Sequence, residues 1–164
     1  MNYMKVVFTL LRSLFYAICF LGLFALIALF LRRYDASIGI PIPAWLEIPG
    51  LIILLLGGLL GFSCIFSFVF HGKGTPAIFD PPTEFVPMGP YKYSRNPMYI
   101  GGLTMLMGLA LYQHSISILL FFVFLCIVIQ PFVIYYEEPG LRNRFGQSYR
   151  EYCNKTPRWV PHFK

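Results

Sequence analysis

Residues 96–136 read NPMYIGGLTMLMGLALYQHSISILLFFVFLCIVIQPFVIYY, 41 consecutive positions without an Asp, Glu, Lys or Arg. About 20 apolar residues take a helix across a bilayer, so this stretch is twice too long for one span and predicts a helical hairpin. The polar trio Gln113, His114 and Ser115 marks the turn, which places one helix over about 97–112 and the next over about 116–136. His114 then reads as an exposed turn residue rather than a ligand. Pro131 removes an intrahelical donor a turn and a half before Glu137, and predicts a kink that frees backbone carbonyls near the membrane face.

Upstream, residues 13–31 form a 19-residue run without charge, bounded by Lys5 and Arg12 before it and by Arg32 and Arg33 after it. Residues 48–70 form another, 23 residues long, in which Gly57, Gly58 and Gly61, with Ser63 and Ser67, offer a small-residue face for close helix packing. The segment between them, with Pro41, Pro43 and Trp45, reads as a short connection with an interfacial aromatic. The expected architecture is an all-α membrane protein of one domain, residues 1–164. It has four transmembrane helices, the last two a hairpin, a long loop at 71–96 and an amphipathic tail at 139–164.

With 57% hydrophobic residues in a chain of 164, no separate soluble catalytic domain fits beside these helices, and any active site must be built at the membrane face. The net charge of +6 points to anionic headgroups rather than nucleic acid, because the basic residues flank apolar segments. The N-terminus, the long loop and the tail carry 11 of the 13 Lys and Arg residues. By the positive-inside rule they are cytoplasmic, both termini included, which in a bacterial cell means the inner membrane. The N-terminal run is too long for a signal-peptide core and reads as a retained helix. Cys19, Cys64, Cys126 and Cys153 have neither disulfide nor zinc spacing, so no metal is expected and the cysteines read as small core residues.

Two polar features remain at the cytoplasmic face. The first is Gly89–Gly102, GPYKYSRNPMYIGG, where a basic loop becomes an apolar helix with Asn96 as N-cap and Pro97 at the first helical position. Such a helix start attracts anions, and Arg95, Lys92, Tyr91, Tyr93 and Tyr99 would give a carboxylate or phosphate charged and aromatic partners. The same residues also suit a basic, aromatic anchor at headgroup level. The second is Glu137–Glu138, at a helix end whose dipole disfavours negative charge, so a cation belongs nearby. Arg142, four residues on, would serve as an ordinary surface partner; a ligand ammonium or sulfonium is the functional alternative. The intervening loop HGKGTPAIFDPPTEFVPMGPYKYS, residues 71–94, is stiffened by prolines and long enough to be functional. Its Gly72-Lys73-Gly74-Thr75 lacks the spacing of a nucleotide phosphate loop. In the tail, Leu141, Phe145, Tyr149 and Tyr152 recur at helical spacing, with Arg142, Arg144 and Arg150 placed to meet headgroups.

Taken together, Gly89-Pro90-Tyr91, Ser94-Arg95-Asn96-Pro97-Met98-Tyr99, Gly101, Glu137-Glu138, Phe145-Gly146, Tyr149, Tyr152 and the ending PRWVP resemble the isoprenylcysteine carboxyl methyltransferase and phospholipid methyltransferase superfamily. The resemblance covers the second half of the chain, with Asn96 standing where many members have His. It implies a small integral membrane enzyme that transfers a methyl group from S-adenosylmethionine to a lipophilic acceptor, with no metal. It further implies that Tyr91, Arg95, Asn96, Pro97, Tyr99, Gly101, Glu137 and Glu138 bind the cofactor. Arg95 would take the methionine carboxylate and Glu137 or Glu138 its ammonium. Arg95, Glu137 and Arg158 would be catalytic, Arg158 by orienting a carboxylate acceptor. An amine acceptor would need a base, for which His71, Asp80 and Glu84 are candidates. Competing readings are a membrane reductase using NADPH, akin to sterol reductases, and a non-enzymatic transporter or assembly factor. The absence of ionisable residues inside the spans counts against a transporter.

Overall fold

A computed structural model describes residues 3–72 and 86–160, and every described element is helical. The loop residues Pro76, Asp80, Pro81, Pro82 and Glu84, and the side chain of His71, lie outside the described residues.

Helix α1 spans Tyr3–Arg32, ten residues longer at its start than the uncharged run. Lys and Arg are good helix formers, so Lys5 and Arg12 bound the apolar run without ending the helix. The short α2 (Asp35–Ile38) and a 3-10 turn (Ala44–Leu46) lead to α3 (Glu47–Ser67), which continues as a π-helical turn, Phe68–Gly72. Helix α4 is Pro97–Tyr112 and α5 is Ile116–Phe132. After Pro131 the backbone winds into a second π turn, Val133–Glu137, and runs on as α6 (Glu138–Lys155). The proline has thus widened the helix rather than stopped it.

Among the described residues three helical stretches, not the expected four, are long and apolar enough to cross a membrane: Val6–Arg32, Ala44–Phe70 and the run beginning at Ile116. Helix α4 has 16 residues, about 24 Å of rise against a hydrocarbon layer of about 30 Å. The Gln113–Ser115 turn limits its length. In the third run the uncharged part ends at Tyr136, so Glu137 and all of α6 lie beyond the apolar span.

Helix α4 lies antiparallel along α3 through glycines. Gly61 of α3 meets Gly101 near the start of α4, and Gly50 meets Gly108 and Tyr112 near its end. At Gly57 an added Cβ would stand 2.6 Å from the Met105 amide nitrogen and 2.7 Å from the Gly101 carbonyl, so only glycine permits this separation. Gly58 faces open space, and Ser63 and Ser67 bond their own helix, the Oγ atoms donating to Leu59 O at 2.7 Å and Ser63 O at 2.9 Å. The positions on α3 that require glycine are therefore Gly50 and Gly57, with Gly61 touching Gly101 through its backbone alone.

Helix α1 joins through Ala28, buried with Leu106, Ala110 and Ile118 in a core shared by α1, α4 and α5. At this end Ser115 caps α5 by accepting from Ile118 N, and Asp35 Oδ1 accepts from Ser117 N at 2.8 Å. Burial acts against the Asp35 charge, but these hydrogen bonds and Arg32 outweigh it and hold the carboxyl below its usual range. Arg32 donates to Gln113 Oε1 at 2.6 Å, and His114, at φ 52°, lies 3.6 Å from the Glu47 carboxylate. His114 is accordingly half-buried beside a partner, not the exposed turn residue expected.

Candidate active site

The opposite end of α3, α4 and α5 is where the polar sequence features meet. A 3-10 turn, Gly89–Lys92, leads into α4. Gly89 has φ 57°, and a Cβ there would lie 2.5 Å from Ser67 Oγ, so the turn sits directly on the end of α3. Pro97 occupies the first turn of α4, but the Asn96 side chain makes no capping bond. Asn96 takes the expected N-cap position, its carbonyl accepting from Ile100 N, while its side chain faces the tail instead of the helix: Nδ2 donates to the Arg158 carbonyl at 3.1 Å. Ser94, fully buried, donates to that same carbonyl at 3.0 Å and accepts from Asn96 N. The Arg95 amide donates to Pro157 O at 2.9 Å. The segment after α6 is thus laid across the start of α4 as a strap held mainly by its own backbone.

The tail is expected to form an amphipathic helix in the membrane interface, and the structure shows what part of its apolar face meets. Gly146, at φ 54° and ψ −124°, breaks α6, and Tyr149 and Tyr152 are buried against the protein. Tyr152 donates from its hydroxyl to the Tyr91 carbonyl at 2.6 Å, and the Tyr91 ring meets Phe68 edge-on at 5.0 Å. Only the outer face of α6, including Arg142, Arg144 and Arg150, is exposed. Protein covers the Tyr149 and Tyr152 part of the expected face, while Leu141 and Phe145, before the break at Gly146, are half-buried.

At the centre lies Glu138, whose side chain is 4% exposed. Arg158 grips it with two charge-assisted bonds, Nε to Oε1 at 2.7 Å and Nη2 to Oε2 at 3.1 Å. Arg95 Nη1 lies 3.0 Å from Oε1, and Arg142 lies 3.8 Å from Oε2. Burial alone would push this carboxyl up, but the Arg158 bonds and the Arg95 charge outweigh it and hold it below its usual range; in return Glu138 raises Arg158. Glu137 behaves oppositely. Burial pushes its carboxyl up, the Tyr99 hydrogen bond opposes this, and the neighbouring Glu138 adds to the rise. Tyr99 donates to Glu137 Oε2 at 2.8 Å.

The structure therefore brings together Arg95, Tyr99, Glu137, Glu138 and Arg158 from three distant parts of the chain, with Asn96 and Pro97 at their base. Tyr91 stands behind them, and Gly101 packs on α3. Arg95 Nη1 also donates to Cys153 Sγ at 3.0 Å, so Cys153 adjoins the site. Trp159 is a further neighbour, its ring edge-on to Tyr99. From sequence Cys153 reads only as a small core residue and Trp159 enters only as part of the ending PRWVP, since a lone cysteine and a single tryptophan carry no spacing signal. Among the described residues no cluster of His, Cys, Asp and Glu could hold a metal ion.

Arg95 and Glu137 each keep hydrogen-bonding capacity that the described residues do not use. Arg95 Nε is buried and unpaired, and Glu137 accepts only through Oε2. The first offers a donor to a carboxylate and the second an acceptor to an ammonium, so the residues fit the methionine end of S-adenosylmethionine. Glu138, already held by three arginines, is not a free acceptor.

No characterised protein and no solved structure matches this chain. The sequence profile of one family, phospholipid methyltransferase, matches residues 45–148, which takes in α3, α4, α5, Arg95, Tyr99, Glu137 and Glu138. That match covers well over half of the chain and takes in the charged cluster except Arg158, so the protein belongs to the phospholipid methyltransferase family, a family of membrane methyltransferases.

Proposed function

We propose that the protein transfers a methyl group from S-adenosylmethionine to a lipid acceptor at the cytoplasmic face of the membrane. The observation that carries this reading is the convergence in one cluster of Arg95, whose buried Nε has no hydrogen-bond partner among the described residues, and Glu137, which accepts from Tyr99 through Oε2. A zwitterionic amino-acid group matches them in charge and in hydrogen-bonding sense. The cytoplasmic assignment is supported by the positive-inside distribution of Lys and Arg.

The bound cofactor supplies a methyl group already activated by a sulfonium, so neither a covalent nucleophile nor a metal is needed. What remains for the protein is alignment and exclusion of water. Arg95 holds the carboxylate end from the start of α4, and Tyr99 fixes the Glu137 carboxylate for the ammonium end. Glu138 keeps Arg95 and Arg158 in place. The 157–160 strap covers the cluster, with Trp159 beside Tyr99. A carboxylate acceptor would be oriented by Arg158; an amine acceptor would lose a proton to a base.

The test is binding of S-adenosylmethionine to purified protein by calorimetry, with NADPH titrated in parallel, and transfer of label from methyl-tritiated S-adenosylmethionine to lipid. Arg95→Ala and Glu137→Ala are each expected to weaken binding at least tenfold without changing the fold. Folded variants that bind as tightly as the parent would refute the site, and binding of NADPH alone would refute the activity.

A further inference from the structure

The group that would receive the cofactor carboxylate is sealed in this structure. Arg95 Nε is fully buried, and the Glu138 carboxylate that Arg95 faces is 4% exposed. A ligand the size of S-adenosylmethionine reaches Arg95 Nε only if part of the protein moves aside. Most of the surroundings are braced. Helices α3 and α4 meet backbone against backbone at Gly50, Gly57 and Gly108. The second half of α6 is seated by the buried Tyr149 and Tyr152 rings, with the Tyr152 hydroxyl 2.6 Å from Tyr91 O and 3.3 Å from Ser94 O.

The 157–160 strap is built differently. It starts from Thr156, which is buried and donates its amide to Tyr152 O at 2.9 Å, a fixed pivot. Beyond that point the chain is outside any helix, Pro157, Arg158 and Trp159 are only half-buried, and Val160 is exposed. Segments with so little buried surface open at the lowest free energy. The contacts that hold the strap are polar and separable. Its Pro157 and Arg158 carbonyls accept from Arg95 N, Ser94 Oγ and Asn96 Nδ2, and the Arg158 guanidinium holds Glu138. At its outer end Trp159 Nε1 donates to Gln130 Oε1 on α5. Gln130 is exposed among Ile127, Val128, Ile129, Pro131 and Phe132, where a polar side chain has no other bond among the described residues, and it serves as a catch. The caught Trp159 ring stands edge-on to Tyr99, whose hydroxyl bonds Glu137. The strap therefore closes over the carboxylate side of the cluster with its base and over the ammonium side with its tip.

The closure also responds to the ligand. Glu138 Oε1 is shared by Arg95 Nη1 at 3.0 Å and Arg158 Nε at 2.7 Å. A carboxylate arriving at Arg95 competes with Glu138 for that guanidinium, so the Glu138 charge rests more on Arg158 and draws the strap down behind the ligand. We propose that the 157–160 strap is a gate, pivoting at Thr156 and caught by Gln130, that opens to exchange S-adenosylmethionine and closes over it. This rests on the methyltransferase reading and adds a moving part to its site.

The experiment uses the full chain in nanodiscs. Of its two tryptophans, Trp45 is 72% exposed, and Trp45→Phe leaves Trp159 as a fluorescent reporter on the strap. Adding Gln130→Leu is expected to make Trp159 more accessible to acrylamide quenching, and saturating S-adenosylmethionine is expected to reverse this. Association and release of S-adenosylmethionine are followed by surface plasmon resonance for the parent, Gln130→Leu and Trp159→Phe; both variants delete the catch and leave Arg95, Tyr99 and Glu137 in place. Loss of one hydrogen bond should raise the association and release rates together, each by about fivefold, and leave Kd within about twofold of the parent. A side chain that only walls the ligand would raise the release rate alone and weaken Kd by the same factor. Rates unchanged in both variants, faster release alone, or Trp159 quenching that Gln130→Leu does not alter overturns the gate. A parent that does not bind S-adenosylmethionine overturns the methyltransferase reading beneath it.

Discussion

Replacing Glu138 with glutamine keeps the shape of the side chain and removes the charge on which Arg95, Arg158 and Arg142 converge. The three partners do not count equally. Arg142 is 54% exposed and 3.8 Å away, so water screens it and its loss is worth a few tenths of a kcal/mol at most. Arg158 is 28% exposed and loses one of two charge-assisted bonds, about 1–2 kcal/mol. Arg95, 11% exposed, is left facing a neutral amide, and an uncompensated cation at that burial costs about 2 kcal/mol more. The expected total is about 3 kcal/mol, or about 6–12 °C in Tm for a chain of this size. Thermal unfolding in detergent, followed by intrinsic fluorescence, measures it. The double variant Glu138→Gln/Arg158→Met should recover part of the loss, because it removes an orphaned charge along with its partner. A single variant melting within 1 °C of the parent would refute the argument that Glu138 holds the cluster together. The pH dependence has a definite sign. Because folding lowers the Glu138 carboxyl from its ordinary value of 4.5, its stabilising contribution is complete above about that pH and is lost as the pH falls below it. Glu137 is raised, so its contribution has the opposite sign, favouring the fold at low pH and fading as the pH climbs above 4.5. The Glu138→Gln variant should therefore lose much less Tm than the parent between pH 5 and about pH 3.

Three further outcomes are expected. Tyr99→Phe deletes the 2.8 Å bond to Glu137, and a lost hydrogen bond to a carboxylate of about 1.5 kcal/mol should weaken S-adenosylmethionine binding about tenfold with little change in Tm. Gly57→Leu forces α3 and α4 apart where a Cβ already meets backbone at 2.6 Å; a destabilisation of about 3 kcal/mol, read as Tm, should accompany lost activity, and Gly58→Leu, which points into open space, should be tolerated. Asp35→Ala removes the carboxylate that accepts from Ser117 N at the far end of the bundle, and should cost about 1 kcal/mol in unfolding while leaving cofactor binding at the parent value.

Much of this was legible because lipid imposes a simple rule: a chain must stay uncharged for as long as it is immersed. That rule located the Gln113–Ser115 turn and the apolar runs, and the basic residues outside them identified the shared face. It could not decide α4, because absence of charge sets a maximum length for a span and the turn at 113 left only 16 residues. It also could not see where α1 begins, since Lys5 and Arg12 end an apolar run without ending a helix. For the site, Arg95 and the glutamates stood out as charges at helix ends, but the division of labour between Glu137 and Glu138 depends on which way each points. Sequence offers nothing there, as the two are adjacent and identical. Tyr149 and Tyr152 show the same gap: their spacing defines a face, but Gly146 determines what that face meets. Cys153 and Trp159 acquire meaning through neighbours distant in sequence, Arg95 and Tyr99, each more than 50 positions away.

The π turn at Val133–Glu137 has a consequence for how this protein tolerates change. Successive residues on a helix point about 100° apart, so removing one residue rotates everything beyond it by that angle. The wide turn between Pro131 and Glu138 sets the phase with which α6 leaves the membrane, and with it whether Glu138 faces Arg95 or the solvent. Side chains such as Tyr135 and Tyr136, exposed on this turn, can be exchanged while the phase is kept. A one-residue deletion there would leave every site residue present in the chain and turn Glu138 away from its arginines. In this segment the length of the chain is the conserved quantity that the site requires, more than the identity of the residues that fill it.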